Sequence, residues 1–261
     1  MYEKLESRLK KDAANKDFVK KILCLDSVDS TNNYALSMET KSEGLFIISK
    51  SQTKGKGRNN RSWHSLEGKS IALSGIVKYP ESPKLPPTLV PLLSSNAVVD
   101  TLIKFGLNPK VKWPNDVLVN SKKISGILCE SDYKKDSNNF IIVGIGINVN
   151  LTNEDFAEDK ISYVVPPTSM NIETNGNHNL EDVAFNLIDS FCFWINEYKN
   201  RNIDRILKFW EENWNDKNKE VSLIRNEKLL KGIAKRVTNK GELVLQYKDK
   251  EEIISSGEIK V

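Results

Sequence analysis

The stretch Gln52-Thr53-Lys54-Gly55-Lys56-Gly57-Arg58-Asn59-Asn60-Arg61-Ser62-Trp63 combines two glycines, four cations and an aromatic residue within twelve positions. It follows a strand-like apolar segment, so we expect it to leave a sheet as a loop. Gly55 and Gly57 let a ligand approach the backbone closely. The cations favour a phosphate or carboxylate, which Arg58 can hold with a bidentate fork and Lys56 as a point charge. Two interpretations are evenly balanced here: an anion clamp and a solvated basic hairpin.

The composition limits the class of protein. A chain of 261 residues with 39% hydrophobic residues predicts one large domain, alone or with a small appendage. The net charge of +4 is too balanced to imply nucleic-acid binding. No apolar run reaches the roughly 20 residues of a membrane helix, and the charged N-terminus argues against a secretory signal. Three widely spaced cysteines and two histidines favour reduced thiols in the cytoplasm and no metal site.

The chain before the loop predicts a short lead-in helix, a strand and a polar turn. Residues 1–20 leave no comfortable room for a helix-turn-helix module, so we expect no DNA partner. The strand at 21–25 is followed by a helix at 32–37. The hydroxyls of Ser30 and Thr31 have two interpretations, a helix cap and contact with a small polar ligand, and the cap is favoured.

Strands and one buried helix follow the loop. Residues 70–79 are strand-like, and 88–105 are apolar on nearly all sides, which predicts a buried helix ended by Gly106. The segment 111–119 consists of two short strands around Pro114, and its Asn-Asp pair fits a turn and a pocket lining equally well.

Two further strands carry glycines. Gly126 in the strand at 124–130 marks a close approach by a ligand or backbone, and Lys123 before it can be read as a charge that protects an edge strand. The strand at 139–150 has two glycines and resembles a central strand, whereas a dinucleotide-binding pattern is incomplete.

The C-terminal part changes its period. Residues 151–179 are polar and predict a long connection. Two amphipathic helices follow at 180–198 and 203–214. From residue 219 the period is two, and short strands at about ten-residue spacing predict a small β-barrel or sandwich. We therefore expect a domain boundary near 215–218.

Four segments in this order resemble the biotin–protein ligase family. Asp29-Ser30-Thr31-Asn32 is similar to the family's D-S-T-N, and the basic loop is similar to its G-R-G-R-x-x-R-x-W. Lys112-Trp113-Pro114-Asn115-Asp116 matches K-W-P-N-D in full, and Lys123-Ile124-Ser125-Gly126-Ile127-Leu128 matches K-[apolar]-x-G-I-L. Lys56 departs from the pattern because it replaces an arginine, which keeps the charge but removes a bidentate grip.

The resemblance implies an α+β fold. A mixed sheet packed with helices, a class II synthetase-like catalytic domain, would occupy residues 1–216, and a small SH3-like β-barrel would occupy 217–261. The implied reaction has two steps. Biotin and ATP, with Mg²⁺, give biotinyl-5′-AMP and pyrophosphate, and a lysine of a biotin carboxyl carrier protein then attacks the mixed anhydride.

The resemblance also assigns site residues. Arg58, Lys123 and Asp116 are the implied catalytic residues, with Asp116 accepting the proton of the attacking lysine or orienting it. The implied biotin contacts are Ser30, Thr31, Asn32, Gln52, Gly55, Lys56, Gly57, Lys123 and Gly126. The implied ATP and adenylate contacts are Lys56, Arg58, Arg61, Trp63, Asn115, Lys123 and Asn148. No protein metal ligands are implied.

Two alternatives remain open at this point. A lipoate or octanoate ligase shares the general fold and a carrier-lysine target, although the K-W-P-N-D segment favours biotin. A non-catalytic biotin-binding module is the alternative of another class, and the absence of an N-terminal DNA-binding module argues against a biotin-operon repressor. The sequence does not fix the oligomeric state, although a homodimer formed by side-by-side sheets occurs in such enzymes.

Overall fold

The computed structural model describes residues 2–11, 17–79, 85–132, 139–158, 163–225, 228–248 and 250–260. The helices in these ranges are α1 (Leu5–Leu9), α2 (Thr31–Ser37), α3 (Val90–Lys104, preceded by a 3₁₀ turn at Pro87–Leu89), α4 (Asn153–Glu158), α5 (Met170–Thr174), α6 (Leu180–Lys199) and α7 (Ile203–Glu212). The strands are β1 (Lys21–Val28), β2 (Leu45–Gln52), β3 (Ser70–Lys78), β4 (Lys110–Lys112), β5 (Asp116–Val119), β6 (Lys122–Asp132), β7 (Phe140–Asn148), β8 (Glu220–Arg225), β9 (Lys228–Val237), β10 (Leu243–Tyr247), β11 (Lys250–Ile254) and β12 (Ile259–Lys260).

The strands form two sheets. The first has seven strands in the order β1-β2-β3-β7-β6-β5-β4, and its β1–β2 pair is parallel while the other pairs are antiparallel. The second has five strands in the order β11-β10-β9-β8-β12, all antiparallel. This confirms the predicted mixed sheet followed by a small β unit.

Alternation along β7 separates the two faces of the large sheet. Val143, Ile145 and Ile147 join the main core with the long helices. Ile142 instead packs with Ala35 of α2 in a smaller cluster. The glycines of β7 lie on this second face, so the sheet has one densely packed face and one face with room for a ligand.

The predicted buried helix is confirmed as α3, which packs against α6 and α7. Its buried polar side chains form hydrogen bonds within the core. Ser94 donates to the carbonyl of Val90 at 2.6 Å, and Asn96 donates to the carbonyl of Ile206 at 3.0 Å. Gly106, with φ of 80°, follows the helix end as predicted.

Three expectations about the fold are wrong. Residues 151–179 are not only a connection, because they contain α4 and α5. Lys123 does not protect an edge strand, because β6 lies between β7 and β5. Ser30 occupies the N-cap position of α2, but its side chain makes no capping hydrogen bond. The expected turn at 226–227 lies outside the described residues. Along the described chain, no helix combines the length and hydropathy needed to cross a bilayer.

Candidate active site

Two cavities share the basic loop as a common wall. The inner pocket, of about 200 Å³, lies on the α2 face of the large sheet, and the outer groove, of about 770 Å³, lies beyond the loop. Arg58 and Asn115 border both cavities. The inner pocket is lined by these predicted site residues: Ser30, Thr31, Asn32, Gln52, Lys56, Gly57, Arg58, Arg61, Trp63, Asn115, Asp116, Lys123, Gly126 and Asn148. Gly55, the remaining one, borders the outer groove.

The loop folds back on itself. The N–H of Trp63 donates to the carbonyl of Gly55 at 2.8 Å, and the N–H of Gly57 donates to the carbonyl of Arg61 at 2.7 Å. Asn59 and Asn60 turn the chain with φ of 54° and 58°. The loop is therefore a closed hairpin that forms one wall of a pocket, rather than a solvated excursion.

The Trp63 ring lies directly on the glycines of β6 and β7. A Cβ added to Gly146 would come within 2.3 Å of this ring, and one added to Gly126 within 3.2 Å. In the same way, a Cβ on Gly144 would come within 2.4 Å of the Asn32 amide. At Gly126 the approaching group is the Trp63 side chain and not the expected backbone, and approach by a ligand stays a prediction.

A hydrogen-bond network fixes the polar end of the pocket. The Gln52 amide oxygen accepts from the N–H of Thr31 at 2.8 Å, and the Ser74 hydroxyl donates to the amide oxygen of Asn32 at 2.6 Å. The amide nitrogen of Asn32 donates to Glu130 at 2.8 Å. Asn32 is thus held by protein partners, and its direct contact with a ligand stays a prediction.

Glu130 extends this network to the loop. Its carboxylate lies 3.5 Å from the Lys56 ammonium, whose side chain is 41% exposed. A contact of this length at the surface is weak. Lys56 therefore lines the pocket, and its side chain is held only weakly by Glu130.

The other cations each have a carboxylate or amide partner. The Lys123 ammonium lies 2.7 Å from Asp116 and 5.9 Å from the centre of the Trp63 ring. Arg58 donates to the amide oxygen of Asn115 at 3.0 Å. Burial lowers the pKa of Arg58, because desolvation disfavours the charged guanidinium. An anionic ligand would offset this cost.

The K-W-P-N-D segment combines the two interpretations left open above, because Asn115 lies in the turn, Asp116 is the first residue of β5, and both line the inner pocket. The register pairs Lys112 with Asp116 across the β4–β5 hairpin. Lys112 is 3% exposed, and burial lowers its pKa. Asn115 donates to the carbonyl of Ile127 at 2.8 Å, which ties the turn to β6.

The far wall of the pocket comes from the segment that the sequence predicted to be a connection. Phe156 and Tyr163 line the inner pocket together with Val164, Val165 and Pro167. The two rings meet edge to face at 6.2 Å. We call these five residues the far wall. Two aromatic residues in a polar stretch were the only signal for them, and sequence reasoning missed it.

The backbone of Lys123 holds this wall in place. Its N–H donates to the carbonyl of Pro166 at 2.8 Å, and its carbonyl accepts from the N–H of Thr168 at 2.9 Å. Asn148 donates to the carbonyl of Thr168 at 2.9 Å. Among the described residues, no three His, Cys, Asp or Glu side chains are grouped to hold a metal ion.

Comparison with known proteins shows the family of this chain. A model of the biotin/lipoate A/B protein ligase family matches residues 24–148, and a model of the biotin protein ligase C-terminal domain matches 218–261. Biotin–[acetyl-CoA-carboxylase] ligase of Paracoccus denitrificans is 30% identical over 174 residues, which cover 65% of this chain and 71% of that protein. The chain belongs to the biotin–protein ligase family.

Other members of the family differ in length. The bifunctional ligase/repressor BirA of Bacillus subtilis is 38% identical over 137 residues, which are 51% of this chain but only 42% of that protein. The structure of biotin protein ligase from Aquifex aeolicus in complex with biotin and ATP has a TM-score of 0.78 and 26% identity, with 92% of this chain and 98% of that chain covered. The biotin–protein ligase fold of this chain, including its C-terminal β unit, is therefore established.

Proposed function

We propose that this family member is an ATP-dependent ligase that makes biotinyl-5′-AMP and transfers the biotinyl group to a lysine of a biotin carboxyl carrier protein. The observation that carries the proposal is the placement of Lys123, Arg58 and Asp116 around one pocket beneath a glycine-rich loop. The relatives named above as biotin–protein ligases support it.

In the first step, a biotin carboxylate oxygen attacks the α-phosphorus of ATP, and the bond to the β-phosphate breaks to release pyrophosphate. Both reactants are anions, so the pocket must offset their repulsion. Lys123 would hold the carboxylate, and Arg58 and Arg61 would hold the phosphates. Lys123 is 2.7 Å from Asp116 and must exchange this partner for the substrate.

In the second step, the amine of the carrier lysine attacks the acyl carbon, and AMP leaves. The amine must lose a proton, and Asp116 is the pocket carboxylate placed to accept it or to orient the amine. Asp116 also lies beside Lys123, which would hold the acyl phosphate.

We assign the polar end of the pocket to the ureido ring of biotin. The Gln52 oxygen is occupied by Thr31, so the Gln52 amide nitrogen is the group offered to a carbonyl. Ser30 and Thr31 are buried beside it. The Trp63 ring, the far wall and Asn148 would hold the nucleotide.

Mg²⁺ fits this proposal as a companion of ATP. It binds phosphate oxygens, water and one or two carboxylates, and Asp116 and Glu258 are the carboxylates that line the pocket. The metal would supply charge neutralisation for the phosphates. This role does not need a metal site formed by protein ligands alone.

The domain boundary at 216/217, a reducing cytoplasmic setting and the absence of a DNA partner belong to the same proposal. Cys24, Cys129 and Cys192 form no disulfide within the described chain. Monomer and homodimer remain alternatives, and sedimentation at several concentrations separates them.

The test is incubation with ATP and either biotin or lipoate, followed by mass spectrometry of the acyl adenylate and measurement of pyrophosphate release. We expect biotinyl-AMP and pyrophosphate with biotin only. An adenylate of lipoate alone would identify a lipoate ligase, and biotin binding without pyrophosphate release would identify a binding module. Both results contradict the proposal.

A further inference from the structure

An ion pair outside the predicted site joins two walls of the inner pocket. The Lys69 ammonium lies 2.6 Å and 2.8 Å from the two carboxylate oxygens of Asp155. Lys69 immediately precedes β3, whereas Asp155 lies in α4. The pair therefore connects the end of the segment that follows the basic loop with the short helix that contributes Phe156.

Asp155 also organises the start of α4. Its carboxylate accepts from the N–H of Thr152 at 2.8 Å, and the Thr152 hydroxyl lies 3.4 Å from the N–H of Asp155. This reciprocal pattern is a capping box, which satisfies N–H groups that a helix start otherwise leaves unpaired. A helix of six residues is too short to be stable alone, so such contacts determine whether it forms.

Lys69 holds the neighbouring backbone as well. Its carbonyl accepts from the N–H groups of Val149 and Asn150, at 3.0 Å and 2.8 Å. These two residues directly follow Asn148, which lines the pocket. One lysine thus fixes the end of β7 through its carbonyl and α4 through its ammonium.

The pair is better sheltered than an ordinary surface ion pair. The Asp155 side chain is 13% exposed and that of Lys69 is 38% exposed. Burial alone would raise the pKa of Asp155, but the hydrogen bonds from Lys69 and Thr152 lower it. The carboxylate is therefore charged at neutral pH and keeps all its donors.

We infer that Lys69 and Asp155 are positioning residues for the nucleotide: together they hold α4 against the start of β3 and so place Phe156 on the far wall. This rests on the proposed function, because it assigns that wall to the adenine of ATP. The two residues act through Phe156 and do not contact the reacting atoms. The polar end assigned to biotin has a separate network, so nucleotide binding should depend on the pair and biotin binding should not.

The test compares Asp155→Asn and Lys69→Met with the wild type. Calorimetry gives the Kd of biotin, and then the Kd of an α,β-methylene ATP analogue on biotin-saturated protein. We expect the analogue's Kd to rise about fivefold to tenfold and the biotin Kd to stay within about twofold. Lys69→Met keeps the capping box and preserves the test if Asp155→Asn does not fold. Lys69→Arg should retain wild-type affinity for the analogue.

The matched control is Glu43→Gln. Glu43 also accepts one lysine, Lys199 at 2.6 Å, and one backbone N–H, that of Lys78, but it lies outside both cavities. We expect it to change neither Kd. The inference is overturned if the analogue's Kd is unchanged in both pair variants, or if the biotin Kd rises by the same factor. Because these are binding measurements, a wild type that binds the analogue but makes no adenylate refutes the proposed function alone.

Discussion

At the scale of single residues, Gly146 shows why a side chain is excluded from the floor of the pocket. The Trp63 ring occupies the space that a Cβ would need, at 2.3 Å. Gly146→Ala should displace the ring and cost about 1–3 kcal/mol in overpacking or in loop order. We expect adenylate formation to fall at least about tenfold, measured by pyrophosphate release.

Gly176→Ala is the matched control for this substitution. Nothing lies within 4 Å of a Cβ at Gly176. The rate should therefore stay near that of the wild type. Equal rates for Gly146→Ala and the wild type would show that the contact between Trp63 and β7 does not shape the active pocket.

Lys56 is the residue at which this chain departs from the family's loop pattern. Its ammonium is 3.5 Å from Glu130 and is well exposed, so the present tether is weak. Lys56→Arg allows a bidentate contact with a carboxylate or phosphate. We expect the dissociation rate of biotinyl-AMP to fall about twofold to fivefold, measured by stopped-flow fluorescence. A faster dissociation would mean that the lysine is better suited to this pocket than arginine.

For single residues, the sequence predicted correctly where a residue type is unusual at its position. The glycines of β6 and β7 predicted a close approach because a strand rarely carries them without a packing reason. The prediction of a side-chain cap failed for Ser30, because the sequence does not show whether a hydroxyl at the start of a helix makes the capping hydrogen bond. Only the packed structure shows that the Thr31 hydroxyl instead meets Gln52 and Ser74.

At the scale of elements, the turn between β4 and β5 connects the loop to the sheet. Asn115 accepts from Arg58 and donates to the carbonyl of Ile127. Asn115→Ala frees Arg58 and leaves that carbonyl without its side-chain donor, a change of about 1–3 kcal/mol. We expect the KM for ATP to rise about tenfold with a smaller change in the biotin Kd.

Asn186→Ala provides the control for the turn. Asn186 donates to the carbonyl of Asp182 within α6, away from both cavities. The KM of the Asn186→Ala variant for ATP should match that of the wild type. If Asn115→Ala also keeps the wild-type KM, the turn does not position Arg58 for the phosphates.

Long elements with a clear period were predictable, and short ones were not. The helices α3, α6 and α7 and the strand β7 bury enough apolar surface to leave a pattern in the sequence. The six residues of α4 and five of α5 are too few for a helical period to appear, and their stability comes from tertiary contacts. This is why the far wall was missed.

At the scale of the whole molecule, Arg61 and Glu258 join the loop to the C-terminal sheet. The Arg61 guanidinium donates to Oε1 of Glu258 at 2.8 Å and also donates to Oε2, so both carboxylate oxygens are paired. Burial would raise the pKa of Glu258, but the bond with Arg61 outweighs it and the pKa is lowered. The ion pair between Arg61 and Glu258 is therefore fully formed at pH values above the usual glutamate pKa. It is lost as the pH falls through the lowered pKa of Glu258.

Acidification below about pH 4 should thus release the loop from the C-terminal sheet. Glu258→Gln should have the same effect at neutral pH, and we expect faster tryptic cleavage after Arg58 or Arg61 than in the wild type. Glu251→Gln, which removes the exposed pair with Arg236, is the control and should leave the loop protected. Unchanged cleavage in Glu258→Gln would show that the sheet does not hold the loop.

The central claim is that the basic loop retains biotinyl-AMP over the pocket until a carrier lysine arrives. The most direct test is to measure free biotinyl-AMP and the labelling of a bystander protein for Arg58→Gly, with Lys54→Gly as the control. Lys54 is an exposed cation of the same loop that lies outside the inner pocket. We predict at least about tenfold more free adenylate and indiscriminate lysine labelling for Arg58→Gly, because charge-assisted contacts to the phosphate are lost. An Arg58→Gly variant that retains the adenylate and labels only the carrier would contradict the account.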